Sequence, residues 1–165
     1  MADKQTRENI TRECGGCSAC CFGMNVPSMN APSNCECPHQ DTGGCAIYET
    51  RPQDCRHFEC TWRIGWGTDE DRPDKVGFFL FLQGGTRFGD LFYASESFPN
   101  SLGSPSVRTR LNEVAVTELK QLIYVMMGND SERVLVGPPA LIKKALRDLG
   151  KDKRVKITES HIAEG

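Results

Sequence analysis

The chain has no apolar run long enough to cross a bilayer. Its apolar runs, such as Phe78 to Leu82, fall far short of the ~20 residues a helical span requires. It also lacks an excess of basic residues. The net charge is -2, which gives no electrostatic footprint for nucleic acid. The first residues, "MADKQTREN", hold no apolar stretch of the kind that opens a secretory leader. The expectation is therefore a cytoplasmic protein with no membrane or nucleic-acid partner.

Two further scarcities divide the chain. No cysteine occurs after Cys60, and residues 1–61 hold only Ile10, Val26 and Ile47 as branched aliphatics. A segment with so little apolar surface cannot bury enough to build its own core. Pro27, Pro32, Pro38 and Pro52 interrupt it further. What that segment does have is sulfur: all nine cysteines.

Disulfides are one way to use them. However, the count is odd, so a complete set cannot close within one chain, and a cytosolic chain is kept reduced. Buried thiols acting as small hydrophobes would not cluster in this way. Metal ligation remains. Cys14, Cys17 and Cys20 form C-x2-C-x2-C, Cys37 and Cys45 form C-x7-C, and Cys55 and Cys60 form C-x4-C. A C-x2-C pair can direct two thiolates at one ion across a tight turn, and Gly15 and Gly16 suit that turn. Tetrahedral thiolate sites take four ligands, so eight cysteines divide into two sites or one polynuclear centre. Adjacent residues project apart along a chain, so the doublet Cys20–Cys21 is expected to serve two metal positions.

The stretch "CGGCSACC" (Cys14 to Cys21), followed by "CPHQDTGGCAIYETRPQDCRHFEC" (Cys37 to Cys60), resembles the CxxCxxCC family of zinc- or iron-chelating proteins. The likeness rests on the cysteine spacing together with Ile47-Tyr48-Glu49, Arg51-Pro52, Cys55-Arg56 and Phe58-Glu59-Cys60. It implies that Cys14, Cys17, Cys20, Cys21, Cys37, Cys45, Cys55 and Cys60 are the metal ligands, and it leaves Cys35 outside the pattern. All-thiolate ligation suits zinc and an iron–sulfur cluster alike. Either thiolate-rich centre is anionic and favours nearby cations, for which Arg51, Arg56 and Arg63 are placed. His39 and His57 are substitute ligands, since mixed sites are common. Trp62 and Trp66 are expected to cover the metal site and pack on the sheet.

After the cysteines the pattern changes. "KVGFFLFL" (Lys75 to Leu82) and "DLFYAS" (Asp90 to Ser95) read as two strands of a hairpin around "GGTRFG". Residues 97–106 read as a loop. Leu111, Ala115, Leu119, Leu122 and Met126 recur at helical spacing, predicting one helix that stops at Gly128. "RVLVG" reads as a strand, and "PPALIKKALRDLG" as a helix with Leu141, Ile142, Ala145, Leu146 and Leu149 on one face. "RVKITE" (Arg154 to Glu159) reads as an edge strand. "VLVGPPALIKK" lacks the second Gly and the Ser or Thr of a phosphate-binding loop.

The expected architecture is α+β: a cysteine-rich, metal-ordered N-terminal lobe packed on a small helix-covered β-sheet. Residues 1–13 form a flexible start, 14–66 the metal-binding region, 67–160 the α+β layer and 161–165 a tail. The expected function is metal binding, by zinc or an iron–sulfur centre. The alternatives are a redox or electron-transfer subunit of a larger enzyme system, or a zinc-stabilised module that binds a protein partner. No constellation of residues supports independent catalysis.

Overall fold

A computed structural model describes residues 11–86, 89–127, 132–149 and 157–159. The N-terminal residues 1–10, Gly128, Gly150, Arg154 and the tail, including His161, lie outside the described residues. The fold class is α+β, with two sheets. A two-residue hairpin pairs β1 (Gln40–Asp41) with β2 (Gly44–Cys45). The main sheet has the order β3 (Phe78–Thr86), β4 (Gly89–Glu96), β5 (Ile123–Met127), β6 (Glu132–Val136) and β7 (Ile157–Glu159).

The strands β3 and β4 form the antiparallel hairpin that the alternating aromatics predict. β4 and β5 run parallel, which requires a crossover. That crossover is the helix α4 (Pro105–Glu113), continued by a π-helical turn over Val114–Glu118. The single helix expected to run to Gly128 is therefore corrected. Leu111 and Ala115 are buried and Leu119 packs against them. The helix then ends, and Lys120 adopts a left-handed φ of 52°. Leu122 and Met126 leave the helix: Met126 belongs to β5. The run "IYVMM" contains β-branched and aromatic residues that fit a pleated surface. The expected loop over 97–106 also gives way at its end, because Pro105 opens α4 at a position where its missing N–H costs nothing.

β5 and β6 are antiparallel, and β6 is again parallel to β7. Their crossover is α5 (Pro139–Leu149). Its apolar residues Leu141, Ile142, Ala145 and Leu146 are half-buried, while Lys143, Lys144, Arg147 and Asp148 are exposed. Among the described residues, three short α-helices precede β3: α1 (Ala19–Gly23), α2 (Gln53–His57) and α3 (Pro73–Val76). Among the described residues, no helix is long and apolar enough to cross a membrane.

The alternation of β3 creates two cores on opposite faces of one sheet. Phe78 and Leu80 join Ala94, Leu111, Val114, Ala115, Ile123, Val125 and Val136 under α4. Phe79 joins Ala19, Cys60 and Trp62, with Cys17, Met24, Phe58 and Phe81 packed against them. The cysteine-bearing region thus borrows apolar surface from the sheet. Burying one such phenylalanine contributes up to ~3 kcal/mol. The Thr61 N–H donates to the Leu80 carbonyl at 2.8 Å, fastening the region to the sheet's edge strand.

Candidate metal centre

Local backbone structure brings the cysteine pairs together. The Cys17 N–H donates to the Cys14 carbonyl at 3.0 Å across a turn in which Gly15 has φ 55°. In the next turn the Cys21 N–H donates to the Ser18 carbonyl at 2.8 Å, and α1 presents Cys20 and Cys21. The Cys37 N–H reaches back to the Cys21 carbonyl at 3.1 Å, tying the second cluster to the first. The small β1–β2 hairpin positions Cys45, paired in register with Gln40. α2 carries Cys55. The Arg63 N–H donates to the Cys60 carbonyl at 3.1 Å, in the turn before Trp66.

The outcome is one cavity of about 80 Å³. Cys14, Cys17, Cys20, Cys21, Cys37, Cys45, Cys55 and Cys60 all line it. Cys35 does not line it and is exposed. The cavity also has Met24, Met29, His39, Tyr48, Arg51, Phe58, Arg63 and Phe79 in its walls. His57, Arg56, Trp62 and Trp66 are not among its lining residues. One water-sized sphere needs ~10–15 Å³, so the space exceeds that of a single atom several times over. Among the described residues, no three His, Cys, Asp or Glu side chains already stand in an arrangement that could hold an ion. The thiols ring a space without closing on one point.

Burial governs the chemistry of these thiols. It pushes Cys17 up to about 12 and Cys60 up to about 11. It also raises Cys14, against the opposing charge of Arg63. Cys20 lies well above the ordinary thiol value, first because its side chain hydrogen-bonds Cys21, then because it is buried. Burial raises Cys55, and nearby Cys20, Cys37 and Cys45 add to the effect. Without a cation these groups hold their protons at neutral pH, so a metal ion must displace protons to bind them. Cys20 and Cys21, the doublet expected to serve two metal positions, line one cavity.

The cations divide by role. Arg51 and Arg63 line the cavity. The Arg51 guanidinium lies over the Tyr48 ring, 3.7 Å from its centroid. Its Nε is buried and has no acceptor; a buried donor left unpaired costs about 1–3 kcal/mol. Arg63 is buried, and its Nε donates to the Arg12 carbonyl at 3.4 Å. Arg56 instead serves the backbone: its Nε donates to the Arg51 carbonyl at 2.7 Å and its Nη2 to the Glu49 carbonyl, closing the turn before α2.

Sequence reading did not single out Arg12. It donates to the carbonyls of Trp62, Trp66 and Gly67 at 3.0, 2.8 and 2.7 Å, and stacks over the Trp62 ring. This clasp fixes the chain two residues before Cys14. The two tryptophans separate: Trp62 joins the core beside the cavity, with its Nε1–H donated to the Thr68 carbonyl at 2.8 Å, while Trp66 packs against the core beneath α4.

The donor set fits a thiophilic centre. It combines eight thiols, two thioethers and the His39 imidazole, with two guanidinium groups beside them, in one largely apolar enclosure, which is the environment soft or borderline metals select. No family model, curated protein or solved structure matches this chain.

Proposed function

We propose that this is a metal-binding protein whose eight clustered cysteines hold one polynuclear centre, of zinc or of iron and sulfide, as the resemblance to the zinc- and iron-chelating CxxCxxCC family implies. The observation that carries this reading is the partition of the nine thiols. The eight that the family resemblance names share one cavity, and Cys35 stands apart in solvent. Chance burial would not sort them along the same line. Two features favour a shared centre over two separate ions. The cavity is continuous and large enough for more than one atom, and the neighbouring Cys20 and Cys21 both line it.

When bound, such a centre supplies cross-links that a region short of aliphatic residues otherwise lacks. The protein's own part is to exclude water with Phe58 and Phe79, to set the ligands on short turns and to offset thiolate charge with Arg51 and Arg63. A cytoplasmic location accords with free thiols. An electron-transfer role within a larger enzyme system is the reading that follows if the metal is iron–sulfur. A protein-interaction module follows if it is zinc.

Purification under anaerobic conditions, with metal and acid-labile sulfide analysis, tests the proposal. A brown protein with iron and sulfide in equal amounts, or a colourless one with more than one zinc per chain, supports metal binding by the cluster, and serine variants of Cys20 and Cys21 then separate one shared centre from two. A metal-free protein with eight freely titrating thiols in the cavity contradicts it.

A further inference from the structure

We propose that Arg51 donates a hydrogen bond from Nε to a sulfur atom of the bound centre and so sets how tightly the centre is held. This inference rests on the metal-binding reading above. Among the described residues, Arg51 Nε is the one buried side-chain nitrogen without a partner. The two neighbouring arginines have spent theirs: Arg63 Nε on the Arg12 carbonyl and Arg56 Nε on the Arg51 carbonyl.

Arg51 lines the cavity while its guanidinium and its carbonyl are engaged by neighbours. Its guanidinium rests on the Tyr48 ring at 3.7 Å. Its carbonyl accepts from Arg56 at 2.7 Å. Its backbone turns directly into Pro52, which fixes the entry to α2 and Cys55. What remains for Nε is the cavity that Arg51 lines. The acceptors available there are thiol sulfurs, which become anionic on binding a metal. A donor facing an anion makes a shorter and stronger hydrogen bond than one facing a neutral group. Tyr48 makes a similar contact, with its phenol in hydrogen-bonding reach of Cys14. Tyr48 is also 37% exposed, so the Tyr48–Arg51 stack forms the solvent side of the cavity wall.

Outer partners of this kind commonly alter metal affinity by about 10–100-fold. The test compares the purified holoprotein with R51K, R51A and Y48F. Metal content is measured first, then the rate of metal release to a chelating dye that reports zinc or ferrous iron. The thermal stability of each metal-free form is measured alongside. R51K and R51A are expected to bind the full complement but release it at least about tenfold faster. Y48F, which keeps the ring and loses the phenol, is expected to give a smaller increase. The metal-free variants are expected to lose less stability than the metal-bound ones, because the stack on Tyr48 is present without the centre and the Nε bond is not.

Release from R51K at the rate of the unmodified protein would show that charge suffices, and would overturn the directional hydrogen bond. Equal destabilisation of the metal-free and metal-bound forms would make Arg51 a structural residue and would also overturn it. Absence of metal from the unmodified chain would overturn the metal-binding reading itself. That outcome is visible before any variant is examined.

Discussion

Gly23 and Phe79 meet with no room between them. A Cβ on Gly23 would lie 2.3 Å from Cε1 of the Phe79 ring and 2.4 Å from the Glu96 carbonyl oxygen. The Ser95 hydroxyl donates to the Gly23 carbonyl at 3.2 Å in the same buried seam. This is where α1, the helix bearing Cys20 and Cys21, sits on the sheet. The ring could shift, but the carbonyl belongs to β4 backbone and cannot.

Gly23→Ala is therefore expected to destabilise the protein by about 1–3 kcal/mol through overpacking. It should also lower metal occupancy, because α1 must lift from the sheet. Denaturant unfolding and metal analysis of the variant check this. An alanine variant as stable as the parent would contradict the close seating of α1.

A second clasp joins the segment before β3 to α4. Asp71 accepts from the Thr68 N–H and hydroxyl at 2.8 and 3.0 Å, and from Arg110 Nε and Nη2 at 3.0 and 2.7 Å. Burial alone would raise the Asp71 carboxyl. The Thr68 amide, Arg110 and the Thr68 hydroxyl together hold it below its ordinary value of 3.8. A carboxylate depressed in the folded state stabilises it above the unfolded pKa, and that stability is lost as pH falls through the folded value. Asp71→Asn is expected to cost about 2 kcal/mol at pH 7, discounted for the partial exposure of Arg110. The difference should shrink below pH ~4. Urea unfolding at several pH values measures it. A difference that stays constant into acid would show that the charge of Asp71 contributes nothing.

Metal removal should separate the two halves of the fold. The sheet and α4 bury a conventional apolar core. The region 14–60 contributes Ala19, Phe22, Val26 and Cys60 as its buried apolar residues. Chelation is expected to open residues 14–60 to protease first, leaving the hairpin β3–β4 and α4 resistant. Limited proteolysis with mass analysis reads the cut sites. Stripped and untreated protein cleaved alike in 14–60 would mean that metal does not order this region.

Much of the fold could be read from the sequence where periodicity was unambiguous. The alternating aromatics of β3 and β4 and the two-sided pattern of α5 lie where they were expected. β5 did not, because Leu122 and Met126 happen to continue the helical spacing of Leu111, Ala115 and Leu119. Only the left-handed turn at Lys120 separates the two elements, and a lysine carries no sign of such a turn. The thiols of the site were legible because spacing is a property of the chain. Their walls were not. Arg12, Met24, Met29 and Phe79 reach the site or brace it through tertiary packing with no local motif.

The central claim is that eight thiols serve one centre, and the doublet tests it most directly. Cys20→Ser, Cys21→Ser and, as a control, Cys35→Ser are to be purified anaerobically, and metal per chain determined for each. Serine is close to isosteric with cysteine but is a poor, normally protonated ligand. Loss of the whole complement, or its rapid loss during handling, is predicted for both Cys20→Ser and Cys21→Ser, with Cys35→Ser equal to the parent. Full, stable metal content in Cys21→Ser, or loss of only half the metal in each doublet variant, would contradict a single shared centre.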